Sequence, residues 1–183
     1  MPKKEIEVVV TGPDTVFAYP HLFEPYAPVS GGKPKYRACL IVPKSDTQTV
    51  QKLREAIRHC YEENAGFLKA DFKDVNNPLK DGDTRKDKDP AYKNAYYLDA
   101  SSIAKPRLIG RDKQEIIDPA DFYPGVIGRA SVNFYAYNMG VNKGIGCGLR
   151  CLKKLRDGTP LGFSASPDVD FAGYDDEEDD FLG

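Results

Sequence analysis

Arg129-Ala130-Ser131-Val132-Asn133-Phe134-Tyr135-Ala136-Tyr137 alternates apolar or small residues with polar and ring-bearing ones, and a period of two marks a β-strand with unlike faces. Ala130, Val132, Phe134 and Ala136 make the face expected to join a core. Arg129, Ser131, Asn133, Tyr135 and Tyr137 make the other, a row of planar rings and hydrogen-bond donors headed by a cation.

Outward from this segment the chain continues to read as short strands. The central strand spans Gly128 to Asn138, and Gly140, Gly144, Gly146 and Gly148 are expected to form a flexible connection. A last strand follows from about Cys147 to Leu155, ended by a turn at Arg156-Asp157-Gly158-Thr159-Pro160. Upstream, Lys4 to Thr11 alternates Ile6, Val8 and Val10 with Glu7 and Val9, and Gly12-Pro13-Asp14 stops it. Val16 to Pro28 is apolar but interrupted by prolines, which remove ladder donors, so it reads as a strand that breaks into a loop. After the turn at Ser30-Gly31-Gly32-Lys33-Pro34-Lys35, a strong strand runs from Tyr36 to Val42 and Pro43 closes it.

One helix is expected, starting at Ser45 or Asp46, where Ser45 and Gln48 have capping-box spacing, and ending near Asn64. Val50, Leu53, Ala56, Ile57, Cys60 and Tyr61 recur at three and four, leaving Lys52, Arg54, Glu55, Arg58 and Glu62 for water. Pro78 to Pro90 lacks apolar periodicity and reads as a long charged loop. Ala95 to Ala100 is a short strand, and Lys105 to Ile109 continues as strand or extended coil. The sum is a mainly β chain with one principal helix (α+β), suited to a small closed barrel.

The last sixteen residues, Asp168 to Gly183, hold eight of the 28 acids and no Lys or Arg, which leaves 20 acids against 26 bases in the rest. A near-neutral chain is therefore a basic body, 1–167, carrying an acidic tail, 168–183. The tail is too charged and too poor in apolar anchors to order itself, and Phe171, Tyr174 and Phe181 suit it to binding partners. No apolar run approaches a membrane span, and the start has no signal-peptide core, so no membrane partner and a cytosol-like compartment, the host cytoplasm, are expected.

Cys39, Cys60, Cys147 and Cys151 are too few for a disulfide framework, and Cys147, Leu149 and Cys151 fall on one face of an ideal strand. With only His21 and His59, neither a metal site nor a cofactor is expected. Asp81-Gly82-Asp83 with Asp87 and Asp89 invites a cation-loop reading, but Arg85 and Lys86 stand where an EF-hand needs an oxygen ligand and a glycine. Gly144-Ile145-Gly146-Cys147-Gly148 lacks the Lys-Ser/Thr of a phosphate loop, and no nucleophile elbow occurs, so no catalytic residue is assigned.

Aromatic faces stack bases of any sequence while cations follow phosphates. The candidate contacts are Lys33, Lys35, Tyr36, Arg37, Lys80, Arg85, Lys86, Lys88, Tyr92, Tyr96, Lys105, Arg107, Arg111, Arg129, Asn133, Tyr135, Tyr137 and Lys143. Such interleaving of rings and cations outside helices favours a groove for single-stranded nucleic acid.

Several blocks extend this reading: Phe17-Ala18-Tyr19-Pro20-His21-Leu22-Phe23-Glu24-Pro25, Lys35-Tyr36 leading into Leu40-Ile41-Val42-Pro43-Lys44-Ser45-Asp46, and Pro78-Leu79-Lys80-Asp81-Gly82-Asp83. Asn94 to Ala100, Phe122-Tyr123-Pro124-Gly125, Ala130 to Tyr137 and Asp157-Gly158-Thr159-Pro160-Leu161-Gly162 follow. Together, in this order and over nearly the whole body, they resemble the phage-encoded single-stranded DNA-binding protein family, formerly a domain of unknown function. The resemblance implies an OB-fold barrel with an elaborated helix that binds single strands in phage DNA replication, recombination or repair. The tail, Asp175-Asp176-Glu177-Glu178-Asp179-Asp180-Phe181, is similar in kind to those that recruit replication or recombination proteins, here followed by Leu182 and Gly183. Alternatives are a strand-annealing mediator, a metal-dependent nuclease using Asp81, Asp83, Asp87 or Asp89, and an adaptor without DNA affinity. The sequence is compatible with a homo-oligomer.

Overall fold

The structure, a computed structural model, describes residues 6–27 and 31–161. Strand β1 (Val8–Val10) is followed by β2 (Thr15–Tyr26), β3 (Lys35–Pro43), helix α1 (Thr47–Glu63) and the single turn α2 (Ala65–Leu68). Then come β4 (Lys80–Asp81), β5 (Ala95–Ser102), β6 (Arg107–Ile109), β7 (Ile127–Met139) and β8 (Asn142–Arg156). Five of these strands close on themselves: β2 pairs with β3, β3 with β5, β5 with β8, β8 with β7, and β7 with β2. Every pairing in the ring is antiparallel except β5 with β8. The closed barrel expected from the strand count is present. β1 lies along β7 at the margin, β4 along β5, and β6 takes up the edge of β8 that β5 leaves at Ser102.

Inside the ring Phe17, Leu22, Leu40, Val42, Leu98, Val132 and Leu152 are buried in one cluster. Phe17 stacks on Phe122 with ring centroids 5.4 Å apart and planes 12° from parallel. Helix α1 buries Val50, Leu53, Ala56, Ile57 and Cys60, the stripe read from its periodicity, against β7, β1 and β8. Its cap is Asp46 rather than a Ser45–Gln48 box. The Asp46 carboxylate accepts from the Thr49 amide at 3.3 Å and the Thr49 hydroxyl at 2.6 Å, and a negative charge is favoured at the positive end of the helix.

Four local expectations are corrected. β2 runs to Tyr26 through its prolines instead of breaking early. β8 begins at Asn142, so Gly144, Gly146 and Gly148 belong to the strand and not to a flexible connection. The register slips between Ser131 and Val132, which pair with Cys151 and Leu149; Arg150 is the extra residue of a bulge. Cys147 and Leu149 are therefore buried while Cys151 is turned outward and exposed. Within Pro78 to Pro90, β4 and short helical turns replace a featureless loop, clasped by Lys44, whose ammonium meets Asp81 at 2.8 Å and Asp83 at 2.7 Å. The expected tail and its boundary at 167, with the strand start at Lys4, lie outside the described residues.

Candidate nucleic-acid interface

Strand alternation sends Ala38, Leu40, Val42, Leu98 and Ala100 into the barrel and turns Lys35, Arg37, Tyr97, Asp99 and Ser101 outward. Cys39 and Ile41 also lie on the outer side but are covered. Tyr92, Ala95 and Tyr97 pack over them, and the Tyr92 hydroxyl donates to Cys39 Sγ at 3.7 Å. Arg85 seals this lid, its guanidinium 3.8 Å from the centre of the Tyr92 ring and 5.0 Å from that of Tyr97, with Asp87 at 2.6 Å. The ion pair holds the guanidinium charged, pushing its pKa up. The rest of the outer face stays open.

On the far side of the opening lie β8 and β7. The outward positions of β8 are Gly144, Gly146 and Gly148, and opposite them on β7 stand Tyr137, Tyr135 and Asn133. A Cβ built on Gly146 would fall 2.4 Å from the Tyr135 ring, and one on Gly148 would fall 2.6 Å from the Asn133 side chain. The glycines therefore let the β7 side chains lie down across β8, an arrangement in which a cross-strand ring shields a glycine. Tyr135 is 42% exposed. Burial of the remainder raises its phenol pKa, opposed by a hydrogen bond with Ser101 of β5, so the ring is neutral near pH 7. Tyr137 is braced by Asn76, whose amide donates to its hydroxyl at 2.9 Å. Gly146→Val should push the Tyr135 ring off the floor and weaken oligonucleotide binding about as much as removing the ring, about 1 to 3 kcal/mol. Retained affinity in a folded variant would show that the ring's position is immaterial.

Three depressions open along this surface. One of about 360 Å³ is lined by Tyr26, Lys33, Lys35, Arg37 and Ser101, and one of about 330 Å³ by His21, Tyr26, Arg37 and Arg85. A third of about 370 Å³ is lined by Lys80, Asn76, Tyr137 and Gly146. Arg37 also lies 5.4 Å from the centre of the Tyr26 ring. The structure thus gathers Lys33, Lys35, Arg37, Lys80, Arg85, Asn133, Tyr135 and Tyr137 on one face.

Other candidates are elsewhere. Tyr92 is 1% exposed, so it cannot offer a face to a base; it supports Arg85 instead. Tyr96 occupies the opposite row of β5, against α1, where its hydroxyl accepts from Arg54 at 2.7 Å. Tyr36 is on the inward row of β3, half-buried at the barrel end. Lys86, Lys88 and Arg111 are exposed in loops, Lys105 sits over Phe23 at 5.7 Å, and Lys143 is on the inward row of β8 near the hairpin tip. Arg107 and Arg129 form a separate patch with Lys153 on β6, β8 and β7. Sequence reasoning missed Tyr26, His21, Asn76 and Asp99. For Tyr26 a signal existed, a ring two residues before Pro28 and close to the Lys33–Lys35 turn; the others are assembled only by strand pairing. Asp81 and Asp83 point at Lys44 and Asp87 at Arg85, so these carboxylates are held by cations of the fold.

A ring in the order β2-β3-β5-β8-β7, closed by one parallel pairing and open on the outer face of its second and third strands, is an OB-fold barrel. Structures of similar fold include the single-stranded DNA-binding protein from bacteriophage Enc34 in complex with ssDNA, with TM-score 0.72 and 22% identity, covering 88% of this chain and 98% of that one. Another is gp2.5, a single-stranded DNA binding protein encoded by bacteriophage T7, with TM-score 0.59 and 12% identity over 93% and 95% of the two chains. The chain belongs to the family of the Enterobacter phage Enc34 ssDNA-binding protein, whose profile matches residues 7–182. A putative protein, p50, of Acyrthosiphon pisum secondary endosymbiont phage 1 is 32% identical over 173 residues, 88% of this chain and 92% of that relative.

Proposed function

We propose that this protein coats single-stranded DNA, largely without regard to sequence and without enzymatic activity, during phage DNA replication, recombination or repair in the host cytoplasm. The observation that carries the reading is the open outer face of β3, β5, β8 and β7, where Tyr135 lies across Gly146, with Tyr137 braced beside it by Asn76, between the cations Lys33, Lys35, Arg37, Arg85 and Lys80. Rings that lie flat stack bases, and cations on both margins hold the backbone. Membership in a family named for an ssDNA-binding protein supports the same reading. Arg107, Arg129, Lys86, Lys88, Lys105, Arg111 and Lys143 would add charge around this centre. The acidic segment from Asp175 to Phe181 would compete for the basic groove when DNA is absent and recruit replication or recombination proteins when DNA displaces it.

Titration of the full-length protein and of a version ending at Pro167 against fluorescent poly-dT and matched duplex, read by anisotropy at low and high salt, tests both parts. The expected result is a salt-sensitive preference for the single strand, with log K falling against log salt at about −0.7 per phosphate held, and tighter binding after tail removal. Absence of binding by either form would overturn the coating function, and equal affinities of the two forms would overturn tail competition.

A further inference from the structure

Asp99 stands in the middle of the open face, and it lines all three depressions. It is exposed, across from Cys39 on β3 and one residue from the β5–β8 pairing at Ala100. Among the described residues no cation lies within ion-pairing distance of its carboxylate, although Arg37 and Arg85 line the same cavity. Its negative charge is felt by two neighbouring thiols: burial first, and then Asp99, push both Cys39 and Cys147 up to about 12. An uncompensated carboxylate at the centre of a groove for a polyanion repels phosphates. The backbone of a bound strand would thereby be confined to the margins, along Lys33, Lys35 and Arg37 on one side and Lys80 on the other, leaving the centre of the groove, where Asp99 stands, to the bases.

An ionised carboxylate can only accept hydrogen bonds. The exposed edge of an unpaired cytosine or adenine offers an amino group and that of guanine two adjacent N–H donors, whereas thymine offers one N–H flanked by two carbonyl oxygens that the carboxylate repels. We propose that Asp99 accepts a hydrogen bond from the edge of one base in the groove, so that this position favours amino-bearing bases over thymine. The proposal rests on the coating function above and gives it a compositional bias.

The test compares dC and dT oligonucleotides of equal length, at a pH that keeps dC unfolded, against wild type, Asp99→Ala and Asp99→Asn, with thermal midpoints confirming that each variant folds. Hydrogen bonds to charged groups set the scale: the dC-to-dT affinity ratio should fall about tenfold in Asp99→Ala, with dT binding unchanged or tighter. In Asp99→Asn the ratio should also fall, because an amide, unlike a carboxylate, pairs with thymine's N–H and carbonyl as well as with cytosine's amino group and ring nitrogen. A ratio equal in all three proteins would overturn the inference, as would equal gains for dC and dT, which would make Asp99 a repulsive charge only. Wild type binding neither oligonucleotide would instead refute the coating function itself.

Discussion

Replacing Tyr135 and Tyr137 together by alanine is expected to weaken binding to a dT oligonucleotide by about 2 to 4 kcal/mol, since each stacked base contributes about 1 to 3 kcal/mol. Both rings are on the outward row of β7, and neither belongs to the buried clusters, so the loss should fall on affinity and leave folding intact. Anisotropy titration measures it. Phenylalanine at the same positions keeps the rings and should keep most of the affinity, apart from the Asn76 brace that fixes the angle of Tyr137 and the hydrogen bond between Tyr135 and Ser101. Tyr96→Ala is the matched control, because Tyr96 faces Arg54 on α1 and should leave DNA affinity unchanged. Equal losses from Tyr96 and from the Tyr135–Tyr137 pair would move the site away from the barrel's open face.

Phe17→Ala is expected to destabilise the fold by about 3 to 5 kcal/mol, the usual cost of truncating a buried phenylalanine. Phe17 is 0% exposed, stacks on Phe122, and lies where β2 is tied back to the segment before β7: its amide donates to Val126 O at 2.9 Å and its carbonyl accepts from the Gly125 amide at 2.8 Å. The cavity would open at the seam where the barrel closes, with little chance of collapse. Denaturant unfolding reads the change, and a loss below about 1 kcal/mol would show that the seam relaxes around the hole. A typical domain has only about 5 to 15 kcal/mol in all, so one such change can leave the protein half unfolded at moderate temperature.

Features legible in the sequence are those written in a local period. The α1 stripe and the two faces of Arg129 to Tyr137 depend on neighbours three, four or two residues away, and both appear as read. The bulge at Arg150 is not written that way; it inverts the facing of Cys151 by one unpaired residue, and parity counted along the chain carries straight past it. Gly144, Gly146 and Gly148 look like a hinge because glycine weakens an isolated strand, yet here Gly146 and Gly148 make room for the Tyr135 and Asn133 side chains of β7, and Gly144 for the close approach of Asn76. Tyr92 looked like a groove ring because it lies among cations in a polar stretch, but the loop folds inward and buries it. Asp99 could not be singled out, since its solitude among cations exists only after β2, β3, β5 and β8 have been brought side by side.

The order in which the barrel's strands come together has a kinetic consequence. β2, β3 and β5 can associate through neighbouring antiparallel pairings, but closure requires β7, which begins at Ile127, to meet β2 at Thr15 and Val16, and β8 to enter in parallel beside β5. During synthesis β2, β3 and β5 would therefore wait, with β4 covering only Tyr96 and Tyr97 of the β5 border and the β2 border open, until most of the chain has left the ribosome. Topologies dominated by such distant pairings fold in about milliseconds to seconds rather than microseconds. A nascent or prematurely terminated chain lacking β7 and β8 would present two largely unpaired strand borders at once, a natural target for chaperones and a seed for aggregation.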